Sequence, residues 1–437
     1  MMKRVILFAV LLGLLGCKPV APTVTPSPTV APLATSAPMP TVAPSPTVAP
    51  LPTVAPSPTI VPSPTVAPSP TIVPSPTVAP SPTIVPSPTV APSPPPPPSP
   101  TATMQGDSGL HLIVAVEGQM RVKREGWSEY APALFGMPLR YGDLLRLEGA
   151  SRAIVACADL TVATVQSSIS GIPCKTAAKP VFVYGGSLVV TTRGDTSGEF
   201  PIVISPRKTK VLIARPTLRW THVAGTTTYK VSVRGPNVNW SADVGSKTQI
   251  AYPDNAPELA AGATYKVTVI TGSRSSDEES APGLGFTILK PDEAQVVREA
   301  ESKIYALGLK EEPTRFLIAA LYAVQGLNAE AIGQLEELSN TLKEPAVVRS
   351  LGDLHLRIGL NRFAEERYLQ ALDLSQGLND IEGQALAQNA LGLVYEALGN
   401  KGEAIKRLQW ALGIYQKLGD AKMVKQIQER LGELQKP

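Results

Sequence analysis

Hydrophobic positions change their spacing repeatedly along this chain, and each spacing predicts a different kind of element. From Val5 to Leu15 they run unbroken behind Lys3 and Arg4, too briefly for a membrane-spanning helix, which predicts an export signal over residues 1–17. From Lys18 to Met104 they fall inside a proline hexad, PSPTVA from Pro44 and PSPTIV from Pro56, ending in the run Pro94 to Pro98. Proline at alternate positions removes amide donors and fixes φ, so residues 18–106 are expected to be a disordered, polyproline II-like stalk. At full extension such a segment would reach about 260 Å. Residues 107–205 alternate in short β-type runs, LHLIVAVEG, QMRVKREG, DLLRLEG, SRAIVACA and LTVATV, separated by turns at Gly118, Gly126, Gly142-Asp143 and Gly185-Gly186. A second set of short strands, including YKVSVRG, TYKVTVI and FTIL, predicts a β-sandwich over 206–290. From Pro291 the spacing becomes helical and stays so to the end of the chain, giving an all-α segment over 291–437.

That helical segment repeats. Leu351-Gly352, His355, Gly359, Ala364, Tyr368 and Ala371 recur as Leu391-Gly392, Tyr395, Gly399, Ala404, Leu408 and Ala411, with a degenerate earlier copy at Ile318-Ala319, Tyr322, Gly326, Ala331 and Leu335. Residues 421 to 434 read as a capping helix. The pattern resembles tetratricopeptide repeats, in which small residues let paired helices approach while large ones fill the seam. The resemblance implies an interaction groove lined by the first helix of each pair. Counted from Gly352 and Gly392, its open positions would be Arg349, Asp353 and Leu356 in one repeat and Leu386, Asn389, Leu393 and Glu396 in the next. Mixed charge beside apolar side chains suits a protein or peptide segment and does not match a basic carboxylate clamp.

Other resemblances concern the upstream segments. Leu14-Leu15-Gly16-Cys17 resembles the lipobox of bacterial lipoproteins, which implies lipidation at Cys17 and a membrane as partner through the lipid. The protein is then expected to sit outside the cytoplasm, on the outer face of the cytoplasmic membrane or on the outer membrane. The succession Gly118 to Val122, Trp127, Gly136 to Leu139, Gly142-Asp143 and Ser151-Arg152-Ala153 resembles the extracytoplasmic domain of the ferric-citrate regulator (FecR) family. Within it Trp127 reads as a core plug and Gly142-Asp143 as a tight turn. Trp220 and the two YKV strands are similar to fibronectin type III or immunoglobulin-like modules, although no Cys-Trp-Cys framework is present.

Charge and chemistry narrow the reading further. A net charge of +4 with interleaved signs offers no footprint for nucleic acid. Besides Cys17 there are Cys157 and Cys174, which in an exported chain read as a disulfide, two buried thiols being the alternative. The three histidines, His111, His222 and His355, lie far apart in sequence and predict no metal site or cofactor. Gly106-Asp107-Ser108-Gly109 is similar to the nucleophile tetrad of chymotrypsin-like proteases but has only linker upstream, so it reads as a joint. Arg193-Gly194-Asp195 and the sequon Asn239-Trp240-Ser241 are short enough to arise by chance. No constellation predicts an enzyme. The expected function is a lipid-anchored protein-binding scaffold, with two alternatives: envelope signal reception in the manner of FecR regulators, and cell-wall glycan binding by the β modules.

Overall fold

The computed structural model describes residues 110–166, 168–175, 181, 198–279, 281 and 283–436. The signal, Cys17, the proline hexads, Gly106 to Gly109 and Arg193 to Asp195 lie outside the described residues.

The first β module is an antiparallel sheet. Its strands are β1 (His111–Lys123), β2 (Ala131–Pro132), β3 (Pro138–Leu139), β4 (Leu144–Ala156), β5 (Val162–Val165) and β6 (Ile169–Ser170). The order is β2-β1-β4-β5, with β3 also on β1 and β6 on β4. The long strand β1 changes character along its length for a reason visible in its sequence. Its first half is an unbroken apolar run buried on both faces: Ile113 points into the module's own core, whereas Leu112 and Val114 pack with residues of the helical segment. Its second half alternates, with Met120 and Val122 buried and Arg121 and Lys123 on the other face, half-buried. The sulfurs of Cys157 and Cys174 are bonded to each other, their Cα atoms 5.6 Å apart.

The second module has two sheets around one core. Its strands are β7 (Val203–Ser205), β8 (Thr209–Val211), β9 (Thr217–Trp220), β10 (Lys230–Gly235), β11 (Val238–Asp243), β12 (Gln249–Ala251), β13 (Thr264–Thr271), β14 (Arg274–Ser275) and β15 (Phe286–Ile288). One sheet runs β11-β10-β13-β15-β8 with β14 on β13, and the other runs β12-β9-β7. Val231, Val233, Val267 and Val269 from the first sheet meet Leu218 and Trp220 from the second. Strand β7 falls on the N-terminal side of the expected boundary at 205/206, yet it pairs with β9, Val203 opposite Trp220.

Eight described helices follow: α1 (Pro291–Ala306), α2 (Glu311–Gln325), α3 (Asn328–Thr341), α4 (Pro345–Arg357), α5 (Asn361–Gly377), α6 (Ile381–Ala397), α7 (Lys401–Leu418) and α8 (Ala421–Gln435). Their ends follow local chemistry: Asp380, Asn400 and Asp420 accept the amides of Gly383, Glu403 and Met423 as N-caps. Gly326 and Gly419 close α2 and α7 in the left-handed region. The segments do not form separate beads. One apolar cluster runs from Leu112, Val114, Ala156 and Leu160 through Ile202 and Leu289 into α1–α4.

The candidate binding face and the edge beside it

Helical pairs α4–α5 and α6–α7 stack in register because glycine removes a side chain where two helices meet. A Cβ on Gly352 would lie 2.9 Å from the Tyr368 ring, and one on Gly392 would lie 2.7 Å from Leu408 Cγ. Stacking leaves one stripe of α4 and one of α6 half-open. On α4 it comprises Ala346, Arg349, Ser350 and Asp353, and on α6 Leu386, Asn389, Leu393 and Glu396. Six of the seven groove positions expected from the sequence therefore lie on these stripes. The seventh, Leu356, does not: it is fully buried among Tyr368, Ala387, Leu391 and Val394.

The reason is positional. Leu356 and Glu396 are equivalent in the repeat and face the first helix of the following pair. Between α4 and α6 that seam is filled by the leucine. Between α6 and α8 it is closed by an ion pair in which Arg430 Nε lies 2.9 Å from Glu396.

The charges on the open stripes are held within the array. Arg349 Nη1 lies 2.9 Å from Asp353 Oδ2, and the Tyr368 hydroxyl donates to Asp353 Oδ1 at 2.7 Å. Burial and the Asp353 charge both hold the Tyr368 hydroxyl well above its ordinary range. The first β module sits against one end of both stripes, where Leu134 and Phe135 line a cavity with Ala346, Arg349 and Leu386, so what the stripes offer a ligand is the Asn389 amide and Leu393 beyond it, bounded by paired charges.

One edge of the array is covered by the first β module, and the residues that do this were not identified as a site in the sequence. Arg124 sits at the end of β1 with its side chain 5% exposed. Its Nε and Nη2 donate to the two oxygens of Glu382 at 2.6 and 2.9 Å, Nη1 to Asp143 at 2.7 Å and Nη2 also to the Pro138 carbonyl at 3.1 Å. Burial raises the Asp143 carboxyl, a shift that the neighbouring Arg124 opposes. Trp127 is buried as a plug, but its neighbours include Ala385, Leu408, Ala411 and Tyr415 of the array. Its indole N–H donates to Asp420 at 3.2 Å, and the Ser128 amide donates to the Leu418 carbonyl at 3.0 Å. The Gly142-Asp143 turn holds Asp143 in place, its carboxylate accepting the Arg140 amide at 2.9 Å. The only sequence signal for this clasp is an isolated tryptophan inside the polar run KREGWSE.

The second module straps the other end of the array. Arg207, wholly buried, pairs with Glu279 through both terminal nitrogens and donates from Nε to the Ile358 carbonyl at 2.8 Å. The Lys210 amide donates to Gly326 O at 2.9 Å, and the Leu212 amide to Glu330 at 2.7 Å. Asn239 of the sequon is exposed on β11, while Trp240 packs edge-on against Tyr252 at 5.1 Å. Among the described residues, His111, Cys157 and Cys174 are the one group close enough to share a metal, and the two sulfurs are joined to each other. No described helix is long and apolar enough to cross a membrane.

Residues 345–417 match the tetratricopeptide repeat family, so α4–α7 are tetratricopeptide repeats. Among solved structures the chain is similar to the MamA protein, with 21% identity over 33% of this chain and 79% of that one, at a TM-score of 0.24. It is similar to BtubC (BKLC) from P. vanneervenii, with 21% identity over 33% and 60% at a TM-score of 0.26. A third likeness is to a putative kinesin light chain of Podosopora anserina with nearly identical TPR-like repeats, 18% identical over 32% and 87%, TM-score 0.24. No curated protein matches the sequence.

Proposed function

We propose that this protein is an exported, lipid-anchored scaffold that binds a protein segment along the half-open stripes of α4 and α6. The observation that carries the reading is the pair of stripes itself: tetratricopeptide helices with Asn389 and Leu393 half-exposed beyond the first β module and with their charged neighbours already paired. Such a surface favours an extended or helical segment with apolar side chains, held with modest affinity by few repeats. Anchoring rests on the signal and Cys17, and reach rests on the proline hexads. In this reading the β modules are FecR-like and fibronectin-like supports that brace the array, and the role is binding without catalysis.

The test is site-specific photocrosslinking in the full chain at its native location. A crosslinker at Asn389 or Leu393 should capture a discrete protein, whereas one at exposed Trp410 on α7 should not. Adducts confined to Trp410, or none at Asn389 and Leu393, would remove the groove. Labelling with a fatty-acid analogue tests the anchor separately, and label retained in Cys17→Ala would refute it.

A further inference from the structure

The first sheet carries, on its solvent side, a feature that the scaffold reading does not use. Arg121 on β1 stands directly opposite Arg146 on β4, and Arg146 in turn stands opposite Ile169 on β6. In the next rung Lys123 stands opposite Leu144. Like charges placed directly across a strand pair are destabilising, so this arrangement needs compensation. Only part of it is supplied. Arg121 Nε lies 2.7 Å from Glu148, the carboxylate that Arg146 also approaches, at 3.8 Å. The Tyr130 ring stacks on Arg146 at 4.4 Å, and Lys123 donates to the Ser128 carbonyl at 3.1 Å. Among the described residues, the ion pairs of both arginines go to the one acid Glu148, and Arg146 Nε has no acceptor. Beside these three cations lie two aliphatic side chains in water, Leu144 at 42% exposure and Ile169 at 59%.

We infer that this rung, Arg121, Arg146 and Ile169 with Lys123 and Leu144 beside it, is a docking surface for an acidic protein segment that also carries apolar residues. The charge selects an anion, and guanidinium pairs bind carboxylates through parallel donors. The aliphatic neighbours select a peptide over an acidic glycan, because sugars stack on open aromatic faces and the Tyr130 face here is occupied by Arg146. Spacing agrees. Side chains two apart on an extended peptide lie about 7 Å from each other, and adjacent strands lie about 4.8 Å apart. An acidic side chain centred between the two arginines lies about one and a half strand spacings, roughly 7 Å, from Ile169, so an apolar side chain two residues further along, on the same face of the peptide, meets Ile169. This surface is separate from the α4 and α6 stripes, so it stands whether or not the groove binds.

The experiment uses the full chain and a dye-labelled dodecapeptide of repeating Glu-Ser-Leu-Ser, which puts glutamate and leucine on one face when extended, read by fluorescence anisotropy. Binding should weaken at least tenfold in Arg121→Gln combined with Arg146→Gln, and about threefold in Ile169→Ser, each variant keeping a native circular dichroism spectrum. It should also weaken on adding salt, and be unaffected by Asn389→Ala. A dodecapeptide of repeating Glu-Ser-Ser-Ser should bind at least tenfold more weakly. Equal binding of the two peptides would overturn the proposal, as would affinity indifferent to the double substitution or no binding of the glutamate-leucine peptide. Arginine-dependent binding of phosphatidylglycerol vesicles without peptide binding would assign the surface to a membrane instead.

Discussion

Trp127 and Arg124 show how two side chains can bind a sheet to a helical array. Each has the character of an interface anchor: a large ring enclosed by apolar residues with its one polar atom satisfied, and a guanidinium with a carboxylate on either side. Replacing Trp127 by alanine removes a ring from a packed cluster, a change that typically costs about 3–5 kcal/mol. Truncating Arg124 leaves Glu382 and Asp143 buried without their partner, about as damaging at 3–5 kcal/mol. Urea denaturation should therefore show both variants far below the native midpoint. Arg124→Met together with Glu382→Gln should recover part of the loss, since the buried charge imbalance falls with it. If the double variant proves no more stable than Arg124→Met alone, the two residues are not coupled. The polarity of the residues around Trp127 gave no hint of this, because a turn containing lysine, arginine and glutamate ordinarily faces water.

At the scale of elements, glycine positions separate what holds the repeats together from what merely ends them. Gly392→Ala drives a methyl group toward Leu408, which is itself buried, so a net loss of about 1–2 kcal/mol is expected despite alanine's better helix propensity. Gly413, within α7, has open space where its Cβ would be, and Gly413→Ala should instead stabilise by up to about 1 kcal/mol. Thermal melts of the two variants should shift in opposite directions; a rise in both would mean that propensity alone governs these helices. The repeat register that predicts this contrast was legible in the sequence, because Gly352 and Gly392 recur with the large residues around them. So were six of the seven stripe positions, since a helix period fixes which residues share a face. Leu356 was not, because periodicity cannot say which neighbour covers a face, and the following helix α6 covers this one. Nor was β7, three residues long and placed by its pairing with β9, a contact that no local pattern encodes.

For the molecule as a whole, a core continuous from the first sheet into α1–α4 implies that the described segments support one another, and two buried groups in the array give that stability a pH dependence of opposing signs. His355 lies beside the Phe363 ring with neither ring nitrogen hydrogen-bonded, and burial, aided by Arg367 and Arg219, pushes its imidazole down to about 3. Between the ordinary histidine value of about 6.5 and that depressed value the unfolded chain holds the extra proton. Acidification through this window therefore lowers stability, at about 1.4 kcal/mol per pH unit. Asp380, the N-cap of α6, behaves in the opposite way: burial raises its carboxyl to about 6, against the amide bond from Gly383 that favours the ionised form. Between its ordinary value near 3.8 and about 6 the folded chain holds the extra proton, so acidification there raises stability. The two effects overlap from about pH 6 to 4 and oppose each other there. Asp380→Asn keeps a good cap and removes one of them, which leaves a decline in urea midpoint as pH falls from 6.5 to 4. His355→Phe removes the other and leaves a rise on acidification from 6 to 4. Parallel pH profiles for the two variants would show that neither group controls the linkage.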